Sequence, residues 1–457
     1  MRGRRIALVL PGSHTLAHPD GHPEGGIPAL ALAPDVMAGL GLAPGERIPL
    51  SFGQRTVAVA VARAQDLPRG AVAPSREAAA RLLLPQVPTL GLFRGPQGLR
   101  LGPLVALLIS SQKLENLLAG QEDTVYRRYQ RCAEELAAVL CFFRVQDVDL
   151  PRGEVRAYWL GPGGWEPQTI PLPRVVCDRC FGPDGRAESR QMRQVAERAG
   201  ITVVNRPINI PKLTAYTLTE RDPNLRPLLP VTLPLSRENL RVMAAQFPVL
   251  YLKPDNLYKG KGIFRLERRG RGWAIQPSES GGVPAPPGPP GPVEAVLDLL
   301  PPGRAYLIQE GIPLATYLGN PYDFRALVQK DAGGNWQVTG LVARIAPEEG
   351  VVTSPRSGGL VAPAERVLAH SFGRRGREVL EELTDASVRV ARCIDAHLGP
   401  CGELGLDLGV TRAGAVQLIE VNGKPLRVSL MRWGNPGAAV GILRYPICYA
   451  AALDLAV

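Results

Sequence analysis

The stretch LGLDLGVTRAGAVQLIEVNGKP, from Leu404 to Pro425, constrains the fold more than any other part of the sequence. It contains two apolar runs separated by TRAG, and successive side chains of a strand point to opposite faces. In the first run the leucines and Val410 share one face, which we expect to be core. Asp407 and its flanking glycines share the other face, which we expect to be open to a ligand. The pattern predicts an antiparallel hairpin.

The register of this hairpin brings three polar side chains together. If Ala413 and Gly414 are the central turn residues, Asp407 pairs directly with Glu420, and Asn422 shares the face of Glu420. Carboxylate and amide oxygens with no His or Cys nearby suit a hard cation, and Mg²⁺ takes one or two carboxylates together with phosphates and water. We therefore predict that these strands hold magnesium against a nucleotide. The alternative is that the acids only form ion pairs on an exposed sheet face.

A second motif, YLKPDNLYKGKGIF, places lysines and glycines after a predicted strand. Lys253 ends that strand, and Gly260, Lys261 and Gly262 lie in a short loop whose backbone N–H groups can reach phosphate oxygens. The motif matches neither the P-loop nor the dinucleotide-binding pattern, because IFRLERR after it reads as a strand rather than a helix. We interpret the loop as a glycine flap over phosphates.

Further polar residues lie at the ends of apolar runs in the same half of the chain. AYLIQEGIPL runs into Gln309 and Glu310, and in NPYDFRALVQK the side chains of Asp323 and Arg325 share a strand face. Arg344 ends another predicted strand. Guanidinium groups in such positions suit bidentate contact with phosphate.

Composition limits the class of protein. The chain has 457 residues, a formal net charge of +11 and 5% aromatic residues. Polyanions are plausible partners, but the arginines are scattered and aromatic stacking platforms are scarce, which argues against a dedicated nucleic-acid function. No signal peptide is evident, no apolar run approaches the roughly 18 residues of a membrane span, and the seven dispersed cysteines suit a reducing compartment. We expect a cytoplasmic protein without a membrane span.

The order of predicted elements indicates three domains. Short strands broken by Gly and Pro over 1–110 predict a β-rich domain, and alternating helices and strands over 111–210 predict an α/β domain with a largely parallel sheet. A longer mixed region, 211–457, contains all of the motifs above. The expected fold class is therefore a multidomain α+β and α/β protein.

In this order, the motifs resemble an ATP-grasp domain, in which two α+β subdomains hold the nucleotide between them. The segments NIPKLTAYTLT, YLKPDNLYKGKGIFRL and RSGGL resemble the YheC/YheD family, known as endospore coat-associated proteins, most clearly over about 210–430. The resemblance implies ATP and Mg²⁺ as cofactors, with 111–210 as a pre-ATP-grasp domain. The N-terminal β-rich region has no counterpart in the ATP-grasp core.

The resemblance also implies roles for individual residues. It implies that Lys253 and Lys261 contact the nucleotide phosphates and that Gln309, Glu310 and Ile312 line the adenine pocket, with Gly260, Gly262 and Asp323 also binding the nucleotide. It implies that Mg²⁺ is held by Asp407, Glu420 and Asn422. Arg325 and Arg344 would neutralise either the transferring phosphoryl group or a carboxylate substrate.

Two functions follow as expectations. The first is a ligase that joins a carboxylate to an amine or similar nucleophile through an acyl phosphate, acting in spore coat or envelope formation, since catalysis in this fold is largely positioning and charge stabilisation. The second is a non-catalytic ATP-binding scaffold of the spore coat. In either case spore coat proteins are possible partners.

Overall fold

The computed structural model describes residues 2–8, 27–87, 89–121, 124–161, 164–206, 209–257, 261–278, 289–347, 353, 358–427, 430 and 436–456. The chain forms two compact units. The first comprises Met1–Arg206, Asp331–Gly334 and Leu443–Val457, and the second comprises Pro207–Lys330 and Asn335–Ile442. The three predicted domains, 1–110, 111–210 and 211–457, stay a proposal. The first compact unit is not divided near residue 110, and it also includes the C-terminal segment Leu443–Val457.

The first unit begins with a closed seven-stranded barrel, as the β-rich pattern indicated. Its strands run in the order β1-β5-β2-β4-β3-β7-β6, and β6 pairs with β1 to close it. Alternating leucines and valines of these strands fill the interior. The elements are β1 (Arg2–Leu8), β2 (Ala29–Leu32), α1 (Pro34–Leu40), β3 (Arg47–Phe52), β4 (Arg55–Arg63), β5 (Ala71–Pro74), α2 (Arg76–Leu82), β6 (Thr89–Gly95) and β7 (Gly98–Gly102).

The same unit continues with a seven-stranded sheet in the order β10-β11-β9-β8-β13-β14, with β12 paired to β11. β8, β9, β13 and β14 are parallel, which confirms the expected α/β region. The elements are β8 (Leu104–Leu108), α3 (Ser111–Leu118), α4 (Thr124–Glu135), β9 (Val139–Phe143), a 3-10 helix (Val145–Asp147), β10 (Val148–Asp149), β11 (Glu154–Gly161), β12 (Gly164–Pro171), β13 (Val175–Asp178), α5 (Gly182–Ala199) and β14 (Thr202–Val204).

The second unit contains two sheets, and the first is five-stranded and antiparallel, in the order β15-β19-β16-β17-β18. Its α7 begins at a serine cap, since Ser236 Oγ accepts a hydrogen bond from Asn239 N. The elements are α6 (Lys212–Glu220), a 3-10 helix (Arg226–Leu228), β15 (Thr232–Pro234), α7 (Arg237–Gln246), β16 (Val249–Pro254), β17 (Phe264–Arg269), β18 (Gly272–Pro277), a 3-10 helix (Val293–Leu299) and β19 (Tyr306–Glu310).

The second sheet of this unit has the order β23-β22-β21-β24-β25, with β20 paired to β21. The long α9 covers it with an apolar stripe at three- and four-residue spacing that includes Val379, Leu383, Val390 and Ile394. The elements are β20 (Thr316–Tyr317), β21 (Asn320–Lys330), β22 (Trp336–Ile345), β23 (Leu360–Pro363), α8 (Ala364–Phe372), a 3-10 helix (Gly373–Arg375), α9 (Gly376–Leu398), β24 (Glu403–Val410) and β25 (Val416–Asn422); α10 (Pro436–Ala456) ends the chain.

The predicted hairpin is the pair β24 and β25. Asp407 pairs with Glu420 as expected, but the turn is centred one position earlier, with Gly414 N bonded to Thr411 O. An irregularity after Asp407 restores the register. The expectation that one face of β24 is open is wrong, because every residue of this strand is buried.

The glycines beside Asp407 make room for protein atoms. A Cβ at Gly405 would lie 2.7 Å from Pro425 Cβ, and one at Gly409 would lie 2.6 Å from Leu314 Cδ2. The side chains of Pro425 and Leu314 therefore fill the space that the sequence pattern reserved for a ligand.

None of the seven cysteines forms a disulfide in the described part of the chain. Among the described residues, no helix is long and apolar enough to cross a membrane.

Candidate functional site

Asp407 lies at the centre of a buried network of charges on β21, β22 and β24. Arg325 is its register partner on β21 and binds both carboxylate oxygens, with Nε 2.5 Å from Oδ1 and Nη2 3.0 Å from Oδ2. Arg344 Nη2 lies 3.2 Å from the same Oδ2. Burial alone would raise the pKa of Asp407, but the two guanidinium groups outweigh it and hold the pKa below its ordinary value.

Arg344 is held more firmly than Arg325, because a second carboxylate binds it. Asp323 pairs with Arg344 across β21 and β22, and its two oxygens accept hydrogen bonds from Nε at 2.7 Å and Nη2 at 2.6 Å. Thr353 Oγ1 donates to Asp323 Oδ2 at 2.5 Å. Burial opposes the charged form of Arg344, yet Asp323 and Asp407 raise its pKa above the ordinary value. Arg344 therefore remains a cation in the buried sheet.

Glu420 on β25 contacts a lysine from a different element. Lys212, the first residue of α6, places Nζ 3.3 Å from Glu420 Oε1 and also donates to the carbonyl of Leu257 at 2.6 Å. Asp255 holds the start of α6, since its Oδ1 accepts from Leu213 N at 2.9 Å. Lys212 thus contacts two separate segments: Leu257, which precedes the glycine flap, and Glu420 on the hairpin.

Lys253 and Gln309 form a buried pair on neighbouring strands β16 and β19. Lys253 Nζ donates to Gln309 Oε1 at 2.5 Å, and Gln309 Nε2 donates to Thr232 Oγ1 at 2.8 Å. Burial lowers the pKa of Lys253 to about 8, although the nearby charges of Glu420, Asp407 and Asp323 act in the opposite direction. In this arrangement the amide of Gln309 positions the ammonium group of Lys253.

The remaining hinge residues lie at the end of β19. Glu310 is bound to β15, because its Oε1 accepts from Val231 N at 3.0 Å and its own N–H donates to Val231 O. Ile312 is half-buried and lies near the backbone of Gly409, where an added Cβ would be 3.7 Å from Ile312 Cγ2. Ile312 therefore lies beside β24, the strand that carries Asp407, whereas the described hydrogen bonds of Glu310 are to Val231.

The structure describes only part of the glycine flap. Gly260 lies outside the described residues, Lys261 is exposed, and Gly262 adopts a φ of +68° that favours glycine. A Cβ at Gly262 would lie 3.2 Å from Pro254 Cγ and 3.3 Å from the hydroxyl of Tyr306. The described end of the flap, at Gly262, thus lies close to Pro254, the last residue of the strand that carries Lys253.

Taken together, the site has an excess of positive charge. The charges that interact with one another are the cations Lys212, Lys253, Arg325 and Arg344 and the carboxylates Asp323, Asp407 and Glu420, four against three. The nearby carboxylates of Asp255 and Glu310 accept hydrogen bonds from backbone N–H groups instead, and Lys261 is exposed. A buried excess of cations favours an anionic ligand, and polyphosphate is the anion that a glycine flap also suits.

Comparison with known proteins shows the family to which the chain belongs. The sequence model of the family described as YheC/D like ATP-grasp matches residues 200–453, which is more than half of the chain. The chain belongs to the YheC/D-like ATP-grasp family. It is 25% identical to the endospore coat-associated protein YheD of Bacillus subtilis (strain 168), over 76% of this chain and 78% of YheD. The endospore coat-associated protein YheC of the same strain is 20% identical, over 62% of this chain and 79% of YheC.

Solved structures similar to this chain include the ATP-grasp ligase PsnB complexed with minimal precursor, with 17% sequence identity and a TM-score of 0.45, covering 77% of this chain and 98% of that chain. D-alanyl-alanine synthetase A from Vibrio cholerae O1 biovar eltor is 12% identical with a TM-score of 0.45, covering 78% of this chain and 99% of that chain.

The ATP-grasp fold implies a divalent cation, and the residues that the sequence assigned to it supply oxygen ligands. Within the described residues no three His, Cys, Asp or Glu side chains converge, so a cation here would use Asp407, Glu420 and the amide of Asn422. The amide Nδ2 of Asn422 is buried with no hydrogen-bond partner among the described residues. Because amide O and N positions are interchangeable, turning the amide over would present an unpartnered acceptor instead. This donor set fits Mg²⁺.

Sequence reasoning missed two residues of this ATP-grasp site, Lys212 and Tyr216. The hydroxyl of Tyr216 donates to Ile419 O at 2.5 Å, and burial raises its pKa. A signal was present in KLTAYTLTE, because Lys212 is its only cation and directly follows Pro211 at the start of a largely apolar helix. A buried helix that begins with a single lysine indicates a buried partner for that lysine.

Proposed function

We propose that this ATP-grasp protein is an ATP- and Mg²⁺-dependent ligase that joins a carboxylate to an amine or similar nucleophile through an acyl phosphate. A carboxylate oxygen of the substrate attacks the γ-phosphorus of ATP and ADP leaves. The nucleophile then attacks the acyl carbon, inorganic phosphate leaves, and the attacking nitrogen loses a proton. The observation that carries the proposal is the buried cluster in which four cations exceed three carboxylates beside a glycine flap.

The nucleotide side of the site is assigned to β16, β19 and the flap. Lys253 and Lys261 contact the phosphates, and Gly260 and Gly262 allow the backbone to approach them. Gln309, Glu310 and Ile312 line the adenine pocket, and Gln309 also positions Lys253. Asp323 acts on the nucleotide through Arg344, which it holds by two hydrogen bonds.

Asp407, Glu420 and Asn422 would hold Mg²⁺, which when bound supplies charge neutralisation on the phosphates. The chain itself supplies Arg325 and Arg344, whose guanidinium groups stabilise the negative charge of the transferring phosphoryl group. Their low exposure strengthens this interaction, because a low local dielectric screens the attraction between charges less than water does. No side-chain nucleophile is required.

A trapping assay tests the reaction without knowledge of the natural amine. Purified protein is incubated with ATP, Mg²⁺ and a panel of carboxylates in the presence of hydroxylamine, which converts any acyl phosphate into a hydroxamate. We expect ADP release and hydroxamate with at least one carboxylate, and neither product with Asp407→Asn. Asp385→Asn is the matched control, since in the described part of the chain this exposed acid of α9 pairs with Arg389 and lies outside the cluster. ADP release that never depends on a carboxylate contradicts the ligase.

The second candidate function is a non-catalytic ATP-binding scaffold of the spore coat. The ion pairs of Asp407 favour it, because they stabilise the sheet whether or not the protein turns over ATP. Because the curated relatives are named endospore coat-associated proteins, we propose either function within spore coat or envelope formation. A nucleotide at 100 times its Kd would stabilise such a scaffold by roughly 2.7 kcal/mol.

Spore assembly in the native organism separates the two functions. Normal assembly with the Asp407→Asn, Glu420→Gln variant at normal protein level supports the scaffold. Failed assembly at the same level eliminates it.

A further inference from the structure

Asp407, one of the carboxylates expected to bind Mg²⁺, already forms ion pairs with two arginine side chains. Arg325 binds both oxygens of Asp407, and Arg344 binds one of them. Asp407 thus accepts three of the about four hydrogen bonds that a carboxylate can accept. A metal ion and both guanidinium groups therefore cannot share this carboxylate without a change of partners.

The two arginines differ in how they are anchored. Arg344 keeps two hydrogen bonds to Asp323 when its contact with Asp407 is removed. For Arg325, Asp407 is the one carboxylate in contact among the described residues. Arg325 is the arginine that can move.

We propose that the guanidinium of Arg325 occupies the cation position at Asp407, and that Mg²⁺ binds there by displacing it, whereas Glu420 keeps its contact with Lys212 until the metal arrives. Metal binding at Asp407 and release of the Arg325 guanidinium toward the anionic substrates then occur together, as a single exchange of cations. The inference rests on the proposed function, since it concerns the same metal site. Asp407 is never left without a cationic partner in the buried sheet, which avoids an unpaired buried charge.

The exchange is tested with Mn²⁺ alone, because Mn²⁺ prefers the same oxygen ligands as Mg²⁺ and its free form is measured directly by electron paramagnetic resonance. Arg325→Met leaves Asp407 open on one side. We expect this variant to bind Mn²⁺ at least about tenfold more tightly than wild type. In wild type the metal must first break a charge-assisted hydrogen bond between Arg325 and Asp407, and the free energy of one such bond corresponds to about this factor in affinity.

Lys253→Met is the matched control for charge. The substitution removes one buried positive charge, as Arg325→Met does. The ammonium group of Lys253 interacts electrostatically with Asp407 and Glu420, but its hydrogen bond goes to the amide of Gln309 and not to a carboxylate. We expect its effect on Mn²⁺ affinity to be clearly smaller. Equal gains in the two variants, or an Arg325→Met protein that binds Mn²⁺ no more tightly than wild type, overturn the exchange.

A measurement on wild type keeps the test independent of variant folding. A vicinal dicarbonyl reagent modifies accessible arginines, and peptide mass spectrometry reports each site. We expect saturating Mn²⁺ to increase modification of Arg325 and to leave Arg344 unchanged. Unchanged or reduced modification of Arg325 contradicts displacement. If wild type binds a nucleotide analogue with Mg²⁺ but Arg325 does not respond, only the exchange fails; if folded wild type binds neither metal nor nucleotide, the proposed function fails.

Discussion

Two buried aspartates, one in each compact unit, have opposite surroundings. Asp407 on β24 is 6% exposed and is bound by two guanidinium groups, which hold its pKa below the ordinary value despite burial. Asp454 on α10 is 2% exposed; its Oδ2 accepts from Leu104 N at 3.0 Å, while Oδ1 has no hydrogen-bond partner among the described residues. Burial raises the pKa of Asp454 to about 6, although a hydrogen bond from Leu104 and the charges of Arg100 and Arg174 oppose the rise.

The difference shows that burial alone does not mark a binding site. Asp454 anchors the last helix by accepting a backbone hydrogen bond, and Arg100 donates to its main-chain carbonyl. That environment favours the neutral acid. Asp407 is held below its ordinary pKa by two guanidinium groups, and in the exchange proposed above a metal ion takes the place of one of them, Arg325. A buried carboxylate with a surplus of cationic partners is therefore the stronger indication of function.

The largest expected effect is the loss of Arg344. Arg344→Met leaves Asp323 and Asp407 buried with fewer cationic partners, so we expect the free energy of unfolding to fall by about 3–5 kcal/mol in urea denaturation. Arg377→Met is the matched control, since Arg377 pairs with Glu381 on an exposed helix face, and should change it by less than about 0.5 kcal/mol. Equal effects of the two substitutions would mean that the cluster on β21, β22 and β24 is not a coupled network.

A smaller effect is expected at Asp454, and it depends on pH. Because its pKa is raised from 3.8 to about 6 in the folded state, the folded protein binds a proton that the unfolded chain releases between these values. Its contribution to stability is therefore full below pH 4 and is lost as pH rises through 6. Asp454→Asn stays neutral, so its unfolding free energy relative to wild type should increase by about 1–3 kcal/mol from pH 4 to pH 7.

The comparison between Asp454→Asn and wild type needs only the two unfolding curves at each pH. A difference that stays constant with pH would show that Asp454 is ionised in the folded protein, as Asp407 is. The two aspartates would then no longer represent opposite environments.

The smallest expected effect concerns nucleotide affinity and Lys253. Since burial lowers the pKa of Lys253 to about 8, the free site holds a charged lysine below pH 8 and a neutral lysine above it. Phosphates favour the charged form, so binding above pH 8 takes up a proton, and affinity should fall by up to about tenfold per pH unit. Titrations at pH 7, 8 and 9 measure this fall. A Lys253→Met protein should bind more weakly at pH 7 and show no such fall; parallel curves would rule out Lys253 as the titrating group.

Local patterns in the sequence predicted much of the fold. Alternation placed Asp407 opposite Glu420, and the apolar run before Lys253 indicated a strand, which the structure shows at Val249–Pro254, one residue beyond the expected end. These features depend on neighbouring residues, because strand alternation and hairpin register are short-range properties. The alternation of predicted helices and strands over 111–210 likewise indicated the region that contains α5.

The partners of these side chains could not be predicted, because they come from distant parts of the chain. Arg325 and Asp407 lie 82 positions apart and meet only because β21 pairs with β24. Lys212 reaches Glu420 from a helix more than 200 positions earlier. Strand order within a sheet is set by packing of the whole unit, so alternation alone could not show that the acids expected on an open face are buried against arginines.

The central claim is that the cluster around Asp407 binds a nucleotide together with Mg²⁺. Calorimetric titration with a non-hydrolysable ATP analogue, with and without Mg²⁺, tests it most directly in wild type and in the Asp407→Asn, Glu420→Gln variant, with Asp385→Asn as control. We predict magnesium-dependent binding by wild type and Asp385→Asn, and its loss in the double variant. No binding by folded wild type, or equal binding by the double variant, would contradict the claim.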